Sequence, residues 1–196
     1  MTDFIKNYIQ DSIQTKKMIL QDERMLRNIS NVANNIVEAY KRGNKVLTAG
    51  NGGSAADAQH IAGELVSKFY FDRPGLSAIA LTVDTSILTA IGNDYGYDKT
   101  FSRQVQAIGN PGDIFIGIST SGNSKNIVEA LKEAKMKGLV TVGMTGAREC
   151  EMDFLCDFMI KVPSTETPKI QESHIMLAHI LCAIIEKSLF KKELYV

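Results

Sequence analysis

Cysteine is scarce in this sequence, and neither sign of charge predominates. The three cysteines, Cys150, Cys156 and Cys182, form no Cys-x-x-Cys pair, so we expect no cysteine metal site. An odd, sparse cysteine count is typical of a reducing cytosol, and we therefore expect a cytoplasmic protein. Lysine plus arginine and aspartate plus glutamate number 22 each, and this balance argues against a nucleic-acid partner.

The sequence also lacks the patterns of membrane proteins and exported proteins. We find no apolar run of the roughly 20 residues that a membrane-crossing helix needs, and we expect no membrane partner. The N-terminal stretch MTDFIKNYIQDSIQ is polar and amphipathic, unlike a signal peptide. A chain of 196 residues is long enough for one domain with a substantial core.

Hydrophobic periodicity divides the chain into an arm and a main domain. Apolar residues recur every three or four positions over residues 2–42, which predicts helices with a possible break near Gln21–Arg24. We expect this arm, residues 1–42, to pack on the core or on another subunit. The remaining residues, 43–196, alternate short apolar runs with helical stretches and form the predicted main domain. The five runs lie at 45–49, 78–82, 114–118, 139–144 and 158–162.

The order of these elements predicts an α/β fold. Strands that alternate with helices pair in parallel through right-handed crossovers. Continuous apolar strands are typical of a sheet that is covered on both faces. We therefore predict a three-layer αβα sandwich with a five-stranded parallel sheet, preceded by the N-terminal helices. Ligands of such sheets bind beyond the carboxyl ends of the strands.

A glycine-rich loop follows the first predicted strand. Residues 50–55, GNGGSA, match a loose dinucleotide-binding pattern. That fingerprint also needs an acidic residue at the end of the second strand, about 20 residues on, to hold a ribose. The acidic residue after the second strand is Asp84, which lies too far along the chain. The other interpretation of this loop is a tight turn without a ligand.

A second loop, STSGNS at 119–124, follows the third predicted strand. Residues 117–124 resemble the P-loop pattern, but Asn123 replaces the lysine that contacts the outer phosphates. Four hydroxyl groups at a helix N-terminus suit a single phosphate monoester. The alternative is a helix cap, but a cap requires one hydroxyl group. We therefore favour a phosphate ligand.

The three histidines are His60, His174 and His179. His60 and Glu64 are four residues apart and share one helix face, so they are candidates for metal ligands or for an acid–base pair. On the last helix, Gln171 and His179 lie about 80° apart around the axis and roughly 12 Å apart along it. They reach one ion only if their side chains extend or the helix begins irregularly. For His174 we favour packing or solvation.

Several motifs together resemble the SIS-domain family of phosphosugar-isomerising proteins. GNGGSAADAQH, IGND, GISTSGNS, KIQE and the following H-x-x-x-x-H occur in the family's order, and the resemblance covers nearly the whole chain. It is strongest to members that act on seven-carbon sugars. It implies an aldose–ketose isomerase that converts sedoheptulose 7-phosphate to D-glycero-D-manno-heptose 7-phosphate through an enediol. This reaction opens bacterial heptose synthesis for lipopolysaccharide, capsule or related glycans.

The same resemblance implies a homotetramer with active sites at subunit interfaces and one zinc ion per site. The implied zinc ligands are His60, Glu64, Gln171 and His179. We expect Glu64 to be the catalytic base and His179 the partner acid. The implied substrate contacts are Asn51, Gly52, Gly53, Ser54, Glu64, Asn93, Asp94, Ser119, Thr120, Ser121, Ser124 and Gln171.

One departure and two other function classes qualify this expectation. The family often has Arg four residues after the Glu, and Asp-Arg before Ile-Gln, where this chain has Lys68 and Pro168-Lys169. A supporting ion pair is then missing or is made by Glu166. A non-enzymatic SIS-domain relative binds the bacterial replication initiator, but it lacks the Glu and the second His. A sugar-phosphate-sensing regulator would need a DNA-binding domain or a basic patch, and we find neither pattern in this sequence.

Overall fold

The computed structural model describes residues 1–190, so residues 191–196 of the predicted domain 43–196 lie outside the described part. Five strands form one parallel sheet in the order β2-β1-β3-β4-β5. The number of strands and their parallel pairing confirm the sequence prediction. The strands are β1 (Val46–Gly50), β2 (Ala78–Ala80), β3 (Ile114–Ile118), β4 (Val140–Thr145) and β5 (Phe158–Lys161).

Helices flank this sheet. Those in the described residues are α1 (Thr2–Gln21), α2 (Glu23–Lys41), α3 (Gly53–Val66), α4 (Thr85–Tyr95), α5 (Ser102–Ile108), α6 (Lys125–Met136) and α7 (Thr167–Phe190). Short 3₁₀ turns lie at Tyr97–Lys99 and Glu151–Phe154. The break predicted near Gln21–Arg24 is present, because the Asp22 carboxylate caps α2 by accepting from the Met25 N–H at 2.9 Å.

Alternate residues of the central strands enter two separate apolar clusters. In β3, Ile116 packs in a cluster with α2, α3 and α7, whereas Phe115 packs in a cluster with α5 and α6. In β1, Val46 belongs to the cluster of Ile116, and Leu47 belongs to the cluster of Phe115. Because successive side chains of a strand point to opposite faces, helices cover both faces of the sheet. The predicted three-layer αβα architecture is confirmed.

The last helix qualifies the expectation that no segment is long enough to cross a membrane. By length and composition alone, α7 meets that criterion, with a mean hydropathy of 1.4 over its most apolar window. However, 44% of that window is buried in the structure, and Leu177, Leu181 and Ile185 belong to the apolar core. Its hydropathy is therefore that of a core helix packed against α2 and α3.

The carboxyl ends of three central strands lie side by side. In the sheet register, Gly50 of β1 pairs with Ile118 of β3, which in turn pairs with Met144 of β4. The loops that follow β1, β3 and β4 are therefore neighbours at one edge of the sheet. This edge is the expected ligand site of an open parallel sheet.

Candidate active site at the carboxyl edge of the sheet

The loop between β1 and α3 is held by an amide pair. The side chain of Asn51 exchanges two hydrogen bonds with that of Asn126, at 2.8 and 2.9 Å. The Tyr97 hydroxyl also donates to Asn51 Oδ1 at 2.8 Å. Gly52 follows with a φ of +55°, which side chains disfavour, and α3 then begins at Gly53. Asn126 and Tyr97 were missed by sequence reasoning, because their link to Asn51 is made only by the fold.

The hydroxyl groups of the second loop converge. The Ser119 Oγ lies 2.9 Å from the Ser124 Oγ and 3.4 Å from the Ser121 Oγ, and it accepts the Gly122 N–H at 3.1 Å. Among the described contacts, the Ser124 side chain makes no capping hydrogen bond to α6. The simple cap interpretation therefore does not account for these hydroxyl groups. They remain available for a ligand with several oxygen atoms.

The segment after β4 supports this loop from behind. The Met152 N–H donates to the Gly122 carbonyl at 3.3 Å, and the Glu151 N–H donates to Asn123 Oδ1 at 2.9 Å. Beside the loop lies a small cavity of about 90 Å³, and Arg148 lines it together with hydroxyl-bearing residues of the loop. Arg148 lies three residues after the end of β4 and was missed by sequence reasoning, although a cation close to a strand end is a recognisable signal for an anion site.

Three of the predicted metal ligands lie together. The His60 Nε2 is 2.9 Å from the His179 Nε2 and 3.1 Å from the Glu64 Oε1. One donor atom from each residue lies within 4.8 Å of the others. Two imidazole nitrogens that face each other at this distance require a proton or a cation between them. The donor types are those that zinc prefers, so the cluster fits a metal ion.

The other predicted ligand, Gln171, lies elsewhere on α7. Its side chain packs against the first residue of α3, because a Cβ atom at Gly53 would lie 2.5 Å from the Gln171 Nε2. The helix is regular from Thr167, so Gln171 and His179 are roughly 12 Å apart along the axis. An irregular helix start therefore does not bring these two residues of one chain to a single ion. The assignment of Gln171 as a ligand stays a prediction.

The predicted substrate contacts on α4 are exposed. The Asn93 Nδ2 donates to Asp94 Oδ1 at 2.8 Å near the end of this helix. None of the described residues of α4 is buried, although Ile87 and other apolar side chains lie along it. The structure places Asn93 and Asp94 on a surface that is available to another molecule.

His174 is a core residue, in agreement with the packing interpretation. Its side chain is fully buried, and its Nε2 lies 3.2 Å from the Thr145 carbonyl oxygen. Burial lowers the pKa of His174 to about 4, because an apolar environment disfavours the charged imidazolium. It is therefore neutral at physiological pH.

The two lysines that depart from the family pattern lie in different surroundings. Lys68 is exposed, whereas Lys169 is buried and its Nζ donates to the Tyr8 carbonyl at 2.7 Å, which ties α1 to α7. The ion pair that supports the carboxyl end of α3 is made by two other residues, Arg73 and Glu186, whose Nε and Oε1 lie 3.6 Å apart. Sequence reasoning missed this pair because its members are far apart in the chain.

Comparison with known proteins shows the family to which this chain is similar. The model of the SIS domain family matches residues 7–146. The phosphoheptose isomerase of Aneurinibacillus thermoaerophilus is 63% identical over 98% of both chains. Phosphoheptose isomerase 2 of Campylobacter jejuni is 61% identical over 98% of this chain and 96% of its own length.

A solved structure gives the same result in three dimensions. A phosphoheptose isomerase from Francisella tularensis superimposes with a TM-score of 0.91 at 38% sequence identity. The match covers 95% of this chain and 98% of the other. The similarity therefore includes both the helical arm and the edge of the sheet that carries the candidate site.

Proposed function

The chain belongs to the phosphoheptose isomerases of the SIS-domain family, and we propose that it interconverts sedoheptulose 7-phosphate and D-glycero-D-manno-heptose 7-phosphate. The observation that carries this proposal is the approach of His60, Glu64 and His179 to within 4.8 Å of one another. A non-enzymatic initiator-binding protein has no need of this cluster, and none of the matches favours that alternative.

The phosphate group binds at the loop 119–124. Its hydroxyl groups and the amino end of α6 provide donors and a favourable dipole for an anion. This binding is remote from the reacting carbons and supplies binding energy that positions them. Asn51, Gly52, Gly53 and Ser54 border the path of the sugar from this loop along α3 towards His60.

Glu64 and His179 move the protons. Glu64 removes a proton from C1 of the ketose, the electron pair forms the C1–C2 double bond, and the C2 oxygen takes up a proton. Glu64 then returns a proton to C2 while the C1 oxygen loses one, which produces the aldose. His179 exchanges the protons on the two oxygens. Transfer by positioned side chains of this kind contributes roughly 10²–10⁴-fold to the rate.

We assign the metal site of each subunit to zinc, held by His60, Glu64 and His179, with Gln171 as the predicted further ligand. A bound zinc ion would polarise the carbonyl group and stabilise negative charge on the enediolate. A carboxylate has two oxygen atoms, so Glu64 can hold an ion through one of them and accept a proton at the other.

The separation of Gln171 and His179 along α7 favours a site completed by another subunit. Two residues of one helix that lie roughly 12 Å apart along its axis reach a common ion most readily from two different chains. Apolar side chains exposed on α1 and α4 provide the surface for such contacts. They are Phe4, Ile5, Tyr8, Ile9, Ile13, Met18, Leu20, Ile87 and Tyr95. We therefore propose a homotetramer with interface active sites, in which Asn93 and Asp94 contact substrate.

The proposed setting is bacterial heptose synthesis for lipopolysaccharide, capsule or a related glycan. The three free thiols, Cys150, Cys156 and Cys182, support a cytoplasmic location. We also propose that residues 1–42 act as an assembly arm, since α1 buries only Thr15 and Ile19. Residues 43–196 then form the SIS domain proper.

The proposal is tested by incubating the purified protein, with zinc added, with sedoheptulose 7-phosphate and following the sugar by NMR. We expect the signals of the aldose to appear, and the reverse reaction from the aldose to reach the same final ratio. A substrate that stays unchanged in both directions would refute the isomerase function.

A further inference from the structure

The carboxylate of Glu186 binds a loop backbone in the interior of the protein. The side chain is 1% exposed, and its oxygens accept the N–H groups of Phe69, Tyr70 and Phe71 at 3.1, 3.0 and 3.2 Å. Burying a carboxylate is costly unless it is paired and hydrogen-bonded. Three consecutive backbone donors therefore fix the course of the chain just after α3.

Arg73, which is 2% exposed, completes the carboxyl end of that helix. Its guanidinium donates to the carbonyl groups of Glu64, Leu65 and Ser67 at 2.8, 2.7 and 3.1 Å. The last carbonyl groups of a helix have no partner within the helix, and a positive charge is favourable there. The Arg73 Nε also lies 3.6 Å from the Glu186 Oε1.

This buried pair connects the two helices that carry the proposed acid and base. Arg73 binds the main-chain carbonyl of Glu64 itself. Glu186 follows His179 by seven residues, which is about two turns, so the two side chains share one face of α7. Between them, the Phe69 ring lies 5.6 Å from the His179 ring.

We propose that Arg73 and Glu186 act as positioning residues that set the distance between Glu64 and His179, and with it the metal donor cluster. The inference rests on the proposed function, because it assigns a role to residues beside that site. The positive charge of Arg73 and the negative charge of Glu186 neutralise each other. Neither side chain contacts the carboxylate of Glu64 or the imidazole of His179 in the described contacts.

A second buried ion pair in the same protein provides a matched control. Asp113 is 1% exposed, lies 2.6 Å from the Lys45 Nζ and accepts the N–H groups of Lys45 and Asn110. Like Glu186, it is therefore a buried carboxylate that binds one cation and several backbone donors. It lies just before β3, at the amino ends of the strands, on the opposite edge of the sheet from the site.

The test compares Glu186→Gln with Asp113→Asn at a temperature where both are folded. Zinc affinity is measured by competition with a chromophoric chelator, and kcat and KM are measured with sedoheptulose 7-phosphate. We expect Glu186→Gln to lower zinc affinity by about 10–100-fold, the usual effect of losing a group that orients metal ligands. We also expect kcat to fall while KM changes little, since the phosphate loop is not disturbed.

The control variant should keep the zinc affinity and kcat of the wild type even if its unfolding midpoint falls. If Glu186→Gln does not fold, Arg73→Lys keeps the charge but loses the forked contacts to the helix end, and it should show the same losses. Equal zinc affinity and kcat in the Glu186 or Arg73 variant and the Asp113 variant would overturn the proposal.

Failure of the proposed function gives a different result. If the wild-type protein binds zinc but leaves the sugar unchanged, the isomerase assignment is wrong, and the ratio of zinc affinities alone decides the role of the pair. If the wild-type protein neither binds zinc nor converts the sugar, both proposals are overturned.

Discussion

Replacing Gly122 with alanine tests the close packing behind the phosphate loop. Gly122 has a φ of +69°, and an added Cβ atom would overlap the Cys150 Sγ and lie 2.5 Å from the Cys150 Cβ. The left-handed backbone costs about 1–2 kcal/mol for a residue with a side chain. Overpacking of a filled site costs about 1–3 kcal/mol more. We therefore expect Gly122→Ala to lower the free energy of unfolding by about 2–5 kcal/mol.

Urea unfolding of a double-mutant cycle separates these two contributions. Cys150→Gly removes the two nearest atoms that the new methyl group would meet and leaves only the Thr145 Cγ2 at 3.2 Å, so the double variant should recover most of the overpacking part and retain the backbone part. The cycle should give a favourable coupling of about 1–3 kcal/mol between the two substitutions. Wild-type stability of Gly122→Ala, or strictly additive effects in the double variant, would refute the reasoning.

Three further predictions concern the loop, the core histidine and the metal. Ser124→Ala should raise KM for the phosphosugar and change kcat little, as measured by steady-state kinetics, because it removes a hydroxyl donor for the phosphate. Folded His174 has a pKa of about 4, so on acidification the unfolded chain protonates this histidine before the folded protein does. The stability that the neutral, buried histidine allows is therefore fully present above pH 6.5 and is lost as the pH falls towards 4. His174→Leu should therefore remove about 2 kcal/mol of the stability difference between pH 7 and pH 5 in urea unfolding. Chelation should abolish turnover, and added zinc should restore it.

Each of these has a result that would contradict it. An unchanged KM in Ser124→Ala would exclude the hydroxyl from phosphate binding, with the exposed Ser67→Ala as a control. For His174, the contrary result is a pH dependence of stability that is the same in the leucine variant and in the wild type. Full activity of protein shown by elemental analysis to be free of metal would remove zinc from the reaction.

Most of the fold was predictable because the strands are strongly patterned. The apolar run at 114–118 has the same bounds as β3, and the break predicted near Gln21–Arg24 lies at Asp22. The order of the strands was not predicted, since apolar runs that are buried on both faces carry no information about which neighbour they pair with. The 3₁₀ turn at Glu151–Phe154 was missed because it is too short for a periodic signal.

The candidate site was predictable where its residues follow local patterns. His60 and Glu64 lie one helical turn apart, and the hydroxyl groups of the loop 119–124 are contiguous, so spacing alone marks both. The supporting contacts were not predictable in this way. Asn51 with Asn126, and Arg73 with Glu186, are joined only by the fold, because each pair lies far apart in sequence. Nothing local in the sequence distinguishes these residues from ordinary polar positions.

The central claim is that the cluster of His60, Glu64 and His179 carries an aldose–ketose isomerisation. Its most direct test is the turnover of sedoheptulose 7-phosphate by Glu64→Gln beside the wild type, with circular dichroism to confirm that both are folded. The account predicts conversion by the wild type and a loss of at least about 10²-fold in kcat for the folded variant. Turnover by Glu64→Gln at the wild-type rate would contradict it.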